Sequence, residues 1–140
     1  MTDELSTPNL TKFAEIVGFD VTKFGDGRCT VEATVDERHL NLGGVAHGGL
    51  HATMLDTSMG GALVSTLPKE EWCATAQIDI SYLNASSSGS PLTPHGSVVR
   101  RGPNLAHPAG ERVAEHGPVI SPAKGPWAVG RKRPSSLGGS

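Results

Sequence analysis

Apolar positions along the chain follow two rhythms, one of helices and one of strands. The stretch from Asn41 to Leu67 reads NLGGVAHGGLHATMLDTSMGGALVSTL. Within it Leu50, Met54, Leu55, Met59, Ala62 and Leu63 recur every three or four positions, the spacing of a helix that buries a face. The other positions are mostly small (Ala52, Thr53, Ser58, Gly60, Gly61), so that neighbours can approach from several sides. This predicts a central core helix over residues 48–67. A shorter helix is predicted over residues 7–17, with Thr7 as N-cap, Pro8 at the first helical position, Leu10, Phe13, Ala14 and Val17 on one face, and Gly18 as its end.

Elsewhere the period is two. Residues 28–35, RCTVEATV, alternate Cys29, Val31, Ala33 and Val35 with polar neighbours, as a half-buried strand does. A strand over residues 19–25 precedes it across Asp26-Gly27, a hairpin turn pair. After the helix comes a polar break at residues 68–71. Residues 73–83 then set Ile78, Ile80 and Tyr82 against Gln77, Asp79 and Ser81, and residues 84–90 form a Ser-rich turn. Strands are predicted over 96–101, 105–115 and 119–129, the last two as a hairpin about His116-Gly117. Eight of the ten prolines follow residue 90, however. Proline cannot donate to a strand ladder, so Pro108, Pro122 and Pro126 are the hardest to place in regular sheet and mark this third as its least ordered part.

At 140 residues the chain is long enough for one modest core and one domain, taken as residues 1–130. A hydrophobic content of 36% is low for a monomer and fits a core completed by a partner subunit. Two cysteines, Cys29 and Cys73, are too few for a disulfide scaffold and read as reduced packing residues. The start, MTDELSTPNLTKF, has no basic and apolar leader pattern, and no apolar run reaches membrane-spanning length, so a cytoplasmic protein without a membrane partner is expected. Charge is uneven. Residues 1–90 carry five Lys/Arg and twelve Asp/Glu, residues 91–140 seven and two, giving −7 and +5. Arg131-Lys132-Arg133 runs into Pro134 and a Ser/Gly tail with no aromatic residue among the charges. Residues 131–140 therefore read as a disordered, solvated tail, not a nucleic-acid surface.

The candidate chemistry lies in the central helix. Asp56 is its only acid, has no Lys or Arg three or four positions away, and would be costly to bury alone. The helix opens on Gly48-Gly49, where free N–H groups and the positive end of the helix dipole favour a developing oxyanion. An acid together with such a helix start suits acyl-transfer hydrolysis.

The pattern N-x5-H-G-G-x6-D, met as Asn41, His47, Gly48, Gly49 and Asp56, resembles the hotdog-fold acyl-CoA thioesterases of the PaaI-like group. Thr75–Leu83, TAQIDISYL, and Val98–Gly102, VVRRG, resemble two of that family's strands. The resemblance implies an α+β hotdog fold, an antiparallel sheet of five or six strands wrapped around one long helix, paired into a homodimer or homotetramer. It implies hydrolysis of an acyl-CoA to a carboxylic acid and CoA with no cofactor and no metal. In this reading the Gly48 N–H polarises the thioester carbonyl, with Asn41 as a second polar contact and Asp56 as general base or nucleophile. Thr75 holds the attacking water, and the acid and the N–H come from different protomers. His47 acts directly or fixes the turn. Gly49, Leu55 and Met59 line the acyl site, and Arg100 and Arg101 meet the phosphates of CoA. In the related proteins the last third is regular sheet with few prolines. Here the strands are either short bulged edges or an altered version of the family's.

Three rivals use the same residues. A metal site at His47 and His51 lacks a third ligand on their face. A hotdog dehydratase would want a histidine beside the acid. A non-enzymatic acyl-CoA binder or sensor on the same fold needs neither Asp56 nor Thr75.

Overall fold

The computed structural model describes residues 11–114 and 119–130. Thr7, Pro8 and Leu10 of the first predicted helix, the turn at His116-Gly117 and the tail from 131 to 140 lie outside them. The chain runs α1 (Lys12–Val17), β1 (Asp20–Gly25), β2 (Arg28–Thr34), a 3-10 turn (Glu37–His39), α2 (Gly48–Val64), β3 (Trp72–Thr75), β4 (Asp79–Ile80), β5 (Pro91–Arg101), β6 (Leu105–Ala114), β7 (Val119–Lys124) and β8 (Trp127–Gly130). The sheet is antiparallel in the order β1-β2-β5-β6-β7-β4, with β8 joining β6 to β3. It wraps around α2, the hotdog arrangement.

Both helices are shorter than their sequence pattern. α1 starts at Lys12 because Thr11, in extended backbone, caps it: its Oγ1 accepts the Ala14 N–H at 3.1 Å. Ala14 is buried and Val17 packs beside it, whereas Phe13 turns outward and is 60% exposed. α2 stops at Val64 instead of Leu67. The hydroxyls of Ser65 and Thr66 donate back to the carbonyls of Ala62 and Leu63, and the backbone tightens to three-residue bonds before Pro68. Ser65 Oγ also accepts the Gly27 N–H at 2.8 Å, tying the β1–β2 turn to the helix end.

The predicted strand over 73–83 is one line broken by a bulge. The N–H groups of Ala76 and Gln77 both reach the Pro126 carbonyl, so β3 pairs with β8 and β4 with β7, one residue out of register. The predicted strand over 119–129 bends likewise at Gly125-Pro126 into β7 and β8. The eight segments therefore form six strand lines. Tyr82 falls beyond β4 and is exposed.

The prolines do not confine the last third to short edges. β5 and β6 are eleven and ten residues long and lie in the middle of the sheet. Pro94, Pro108 and Pro122 sit where no ladder donor is required. Val98 donates its N–H toward the β1–β2 turn, at Gly27, so its pairing with Pro108 is not hydrogen-bonded. The Pro108 nitrogen therefore faces away from β5, toward the Gly125-Pro126 break. The Pro122 carbonyl accepts from Ser81 on the β4 side, so its nitrogen also points there, away from β6. Opposite Pro94, the β2–β5 register lapses between Thr30 and Ala33.

The core divides along α2. Leu50, Met54 and Ala62 join α1, β1, β2 and β5 through Ala14, Phe19, Cys29, Val31, Val35 and Leu92. Leu55, Met59 and Leu63 join β6, β7 and β8 through Ala106, Ala123, Trp127 and Val129. Both cysteines are free, and burial pushes the Cys29 thiol up to about 11. No helix among the described residues is long and apolar enough to cross a membrane.

Candidate active site

Asp56 and Thr75 meet. Thr75 Oγ1, at the end of β3, donates to Asp56 Oδ1 at 2.7 Å across nineteen residues of sequence. Asp56 lies on the half-buried face of α2 with Thr53, Thr57 and Gly60, the face that meets β3. Among the described residues the bond leaves Oδ2 and the Thr75 oxygen lone pairs open. A water between them can donate one proton to each, the geometry of a carboxylate base beside a water-holding hydroxyl.

The other end of the site is the start of α2. His47 is its N-cap, in extended backbone (φ −61°, ψ 140°), and its Nδ1 accepts the Gly49 N–H at 2.7 Å. A Cβ at Gly49 would stand 2.9 Å from that nitrogen, so the histidine cap needs a bare residue there. The His47 ring thus fixes the turn. The Leu50 N–H is held by the His47 carbonyl at 2.9 Å, while the Gly48 N–H has no bonded partner among the described residues. Gly48 and Asp56 are eight residues apart on one helix, about 12 Å along its axis.

Asn41 shapes the approach. Its Oδ1 accepts from Gly43 at 2.9 Å and Val45 at 3.3 Å, and its N–H donates to the Val45 carbonyl. The oxygen is committed to the loop, and only the amide NH2 remains for a ligand. The loop lines a cleft of about 560 Å³ with Leu40, Asn41, Leu42, Gly43 and His47. Leu42 projects fully into solvent, and the exposed Tyr82 closes over the helix start, its hydroxyl donating to the Gly48 carbonyl at 3.0 Å. Sequence pattern placed Tyr82 with the core strand residues. Only the fold brings it to Gly48, thirty-four positions away.

The remaining expected substrate contacts are Leu55, Met59, Arg100 and Arg101. Leu55 and Met59 are fully buried in the core between α2 and the sheet. Their helical spacing could not say which way the face turned. Arg101 is engaged by an ion pair with Glu71 and a bond to the Gly102 carbonyl, whereas Arg100, next to it, is exposed and has no ion pair among the described residues. His47 and His51 serve separately, since His51 is buried edge-on to Tyr82 with ring centroids 5.7 Å apart. Among the described residues no three His, Cys, Asp or Glu side chains converge as a metal site would require.

Residues 43–119 match the model of the thioesterase superfamily. Human acyl-coenzyme A thioesterase 13 is 32% identical over 82 residues, which are 57% of this chain and 56% of that protein, so the match spans just over half the human protein's length. The solved structure of smu.793 from Streptococcus mutans, bound to acetyl CoA, is 27% identical and superimposes with a TM-score of 0.76 over 84% of this chain and 92% of that one. The E. coli PaaI protein from the phenylacetic acid degradation operon superimposes with a TM-score of 0.80 over 87% of each chain. At 22% identity that is a likeness of fold.

Proposed function

The chain belongs to the thioesterase superfamily and is a thioester hydrolase, and from that premise we propose that it cleaves an acyl-CoA by the pair Asp56 and Thr75 acting opposite the Gly48 N–H. The observation that carries the reading is the 2.7 Å bond from Thr75 to Asp56, which aims a half-buried carboxylate and a hydroxyl at one point in front of α2. Asp56 takes the proton of a water held by Thr75, and the water attacks the thioester carbon. The carbonyl oxygen turns its growing negative charge toward the Gly48 N–H, and the CoA thiolate leaves. Direct attack by Asp56, followed by hydrolysis of the anhydride, uses the same atoms.

The attacking group and the oxyanion donor must each stand roughly 3 Å from the same reacting group. A separation of about 12 Å along one helix is too long for that. We therefore assign the Gly48 N–H at each site to the partner of the chain that supplies Asp56, in a homodimer paired along the free edge of β3 and β4. The loop cleft beside Asn41 receives the arm of the substrate that leads to its thioester, and the unpaired Arg100 is the cation offered to the phosphates of CoA.

The test pairs calorimetric binding with hydrolysis over short, medium and aromatic acyl-CoA esters. Asp56→Asn is expected to bind as wild type does while kcat falls about 10²–10⁴-fold at little-changed KM, and Thr75→Ala to cost less. Asp56→Asn turning over at the wild-type rate, or a wild type that binds acyl-CoA without hydrolysing it, would sink the mechanism.

A further inference from the structure

The loop that carries the Gly48 N–H is held from beneath by a side chain with no part in the chemistry. His39, at the end of the 3-10 turn, is 5% exposed, and both of its ring nitrogens are occupied. Nδ1 accepts the Asp36 N–H at 3.0 Å, and Nε2 faces the Val17 carbonyl at 2.5 Å. A ring that accepts at Nδ1 carries its proton on Nε2, so Nε2 donates to Val17, the last residue of α1. The neighbouring Arg38 ties the preceding carbonyl, Ile16, at 3.0 Å. The final turn of α1 is thereby fastened to the segment leading into the motif.

His39 also holds the motif through its backbone. Its carbonyl accepts the His47 N–H at 2.7 Å, while on the other flank the Ser86 carbonyl accepts the Ala46 N–H at 2.8 Å. The leg from Val45 to His47 is pinned on both sides, and Gly48 is the first residue beyond it. The direction of the Gly48 N–H is set by the peptide plane that joins it to His47, and the position of His47 is set by His39. We propose that His39 is a positioning residue for the Gly48 N–H, locking the motif loop to the end of α1. The proposal rests on the acyl-transfer reading of Gly48. Asparagine can imitate only the Nδ1 end of the ring and glutamine only the Nε2 end, so the two variants separate the cap on Asp36 from the tie to Val17.

The experiment compares His39→Asn and His39→Gln with wild type, by steady-state hydrolysis of acyl-CoA and by amide exchange followed residue by residue. His39→Asn loses the tie to Val17. Its kcat is expected to fall roughly 10-fold or more at unchanged KM, the mark of a misplaced donor. Exchange at the His47 and Gly49 amides should quicken roughly 10-fold while β5 and β6 keep their protection. His39→Gln, which retains the tie, should stay within about 3-fold of wild type in both readouts. Unchanged exchange at His47 and Gly49 in His39→Asn overturns the proposal. So does a uniform loss of protection across β5 and β6, which would make His39 a stability residue only. A wild type inactive on every acyl-CoA ester defeats the functional reading instead, and the exchange arm still decides what His39 does to the loop.

Discussion

Between Asp36 and Gly49 the backbone is irregular and is held mostly by side chains of the same stretch. Asn41 spans a turn, His47 caps a helix two residues on, and Asp36 and His39 cap each other's backbone. Along β5 to β8 the backbone is extended and is held by strands that arrive from elsewhere, with Pro94, Pro108, Pro122 and Pro126 set at a lapse, bulges and a bend. The first region keeps a donor, the Gly48 N–H, deliberately unspent. The second contains residues that have no donor to spend, and hides Pro94, Pro108 and Pro122 where none is called for. One arrangement exposes a polar group for chemistry, and the other removes polar groups so that a sheet can close around a helix.

If that division is right, the first region governs turnover and the second governs stability, and substitutions should separate the two. The largest effect is expected from mixing two inactive chains. Gly48→Pro removes the N–H at a helix position that tolerates proline, adds a ring against the exposed Tyr82, and leaves Asp56 in place. Mixed with Asp56→Asn, it should regain about a quarter of wild-type activity, since half of randomly paired dimers hold one intact site. No recovery after subunit exchange would mean that the site is not shared between chains. Next in size is Gly96→Ala in β5. Its Cβ would fall 2.1 Å from the Ser58 carbonyl oxygen of α2, a backbone atom that cannot give way. Denaturant unfolding should show a loss of about 3 kcal/mol, with kcat per folded molecule unchanged. A drop in kcat at full stability would break the division.

Pro108→Ala sharpens it on a smaller scale. The ring is fully buried, and the new N–H would face the β7–β8 break without a ladder partner. A cost of about 1–2 kcal/mol is expected from lost apolar burial and an unpaired donor, again without change in kcat. A gain in stability would show that the break offers an acceptor after all. The smallest effect is expected at the end of β5, where the second region reaches the substrate. Arg100→Ala should raise KM for a CoA ester about 3-fold, less so at high salt, while Arg101→Ala, already spent on Glu71, should do little to KM. Equal effects of the two would withdraw the assignment to Arg100.

The same contrast explains what could be read from the residues alone. The ties within Asn41–Gly49 join positions two to four apart, and of them the turn-fixing role of His47 was open to reading while Asn41 was taken as a contact to the thioester; the helix that follows announced itself by period. Asp56 stood out as an acid without a local partner, but its partner Thr75, nineteen positions on, was named only through family resemblance. Period could say that Leu55 and Met59 share a buried face and not that the face meets β6. The prolines were read by a local rule, that a strand needs every donor. Whether a donor is needed depends on which side of the strand each residue faces, and that is settled by register with β2, β5 and β7. His39 escaped notice for the same reason: its ring reaches Val17, twenty-two residues back.

The spacing of Gly48 and Asp56 on one helix has a consequence for how the protein behaves on dilution. If the two halves of the reaction lie in different chains, as proposed, a solitary chain is silent however well it folds. Below the dissociation constant of the pair, the rate per chain should fall in proportion to protein concentration. Substrate, by bridging both chains, should pull the partners together. In that regime the amount of enzyme in solution sets its specific activity as well as its total.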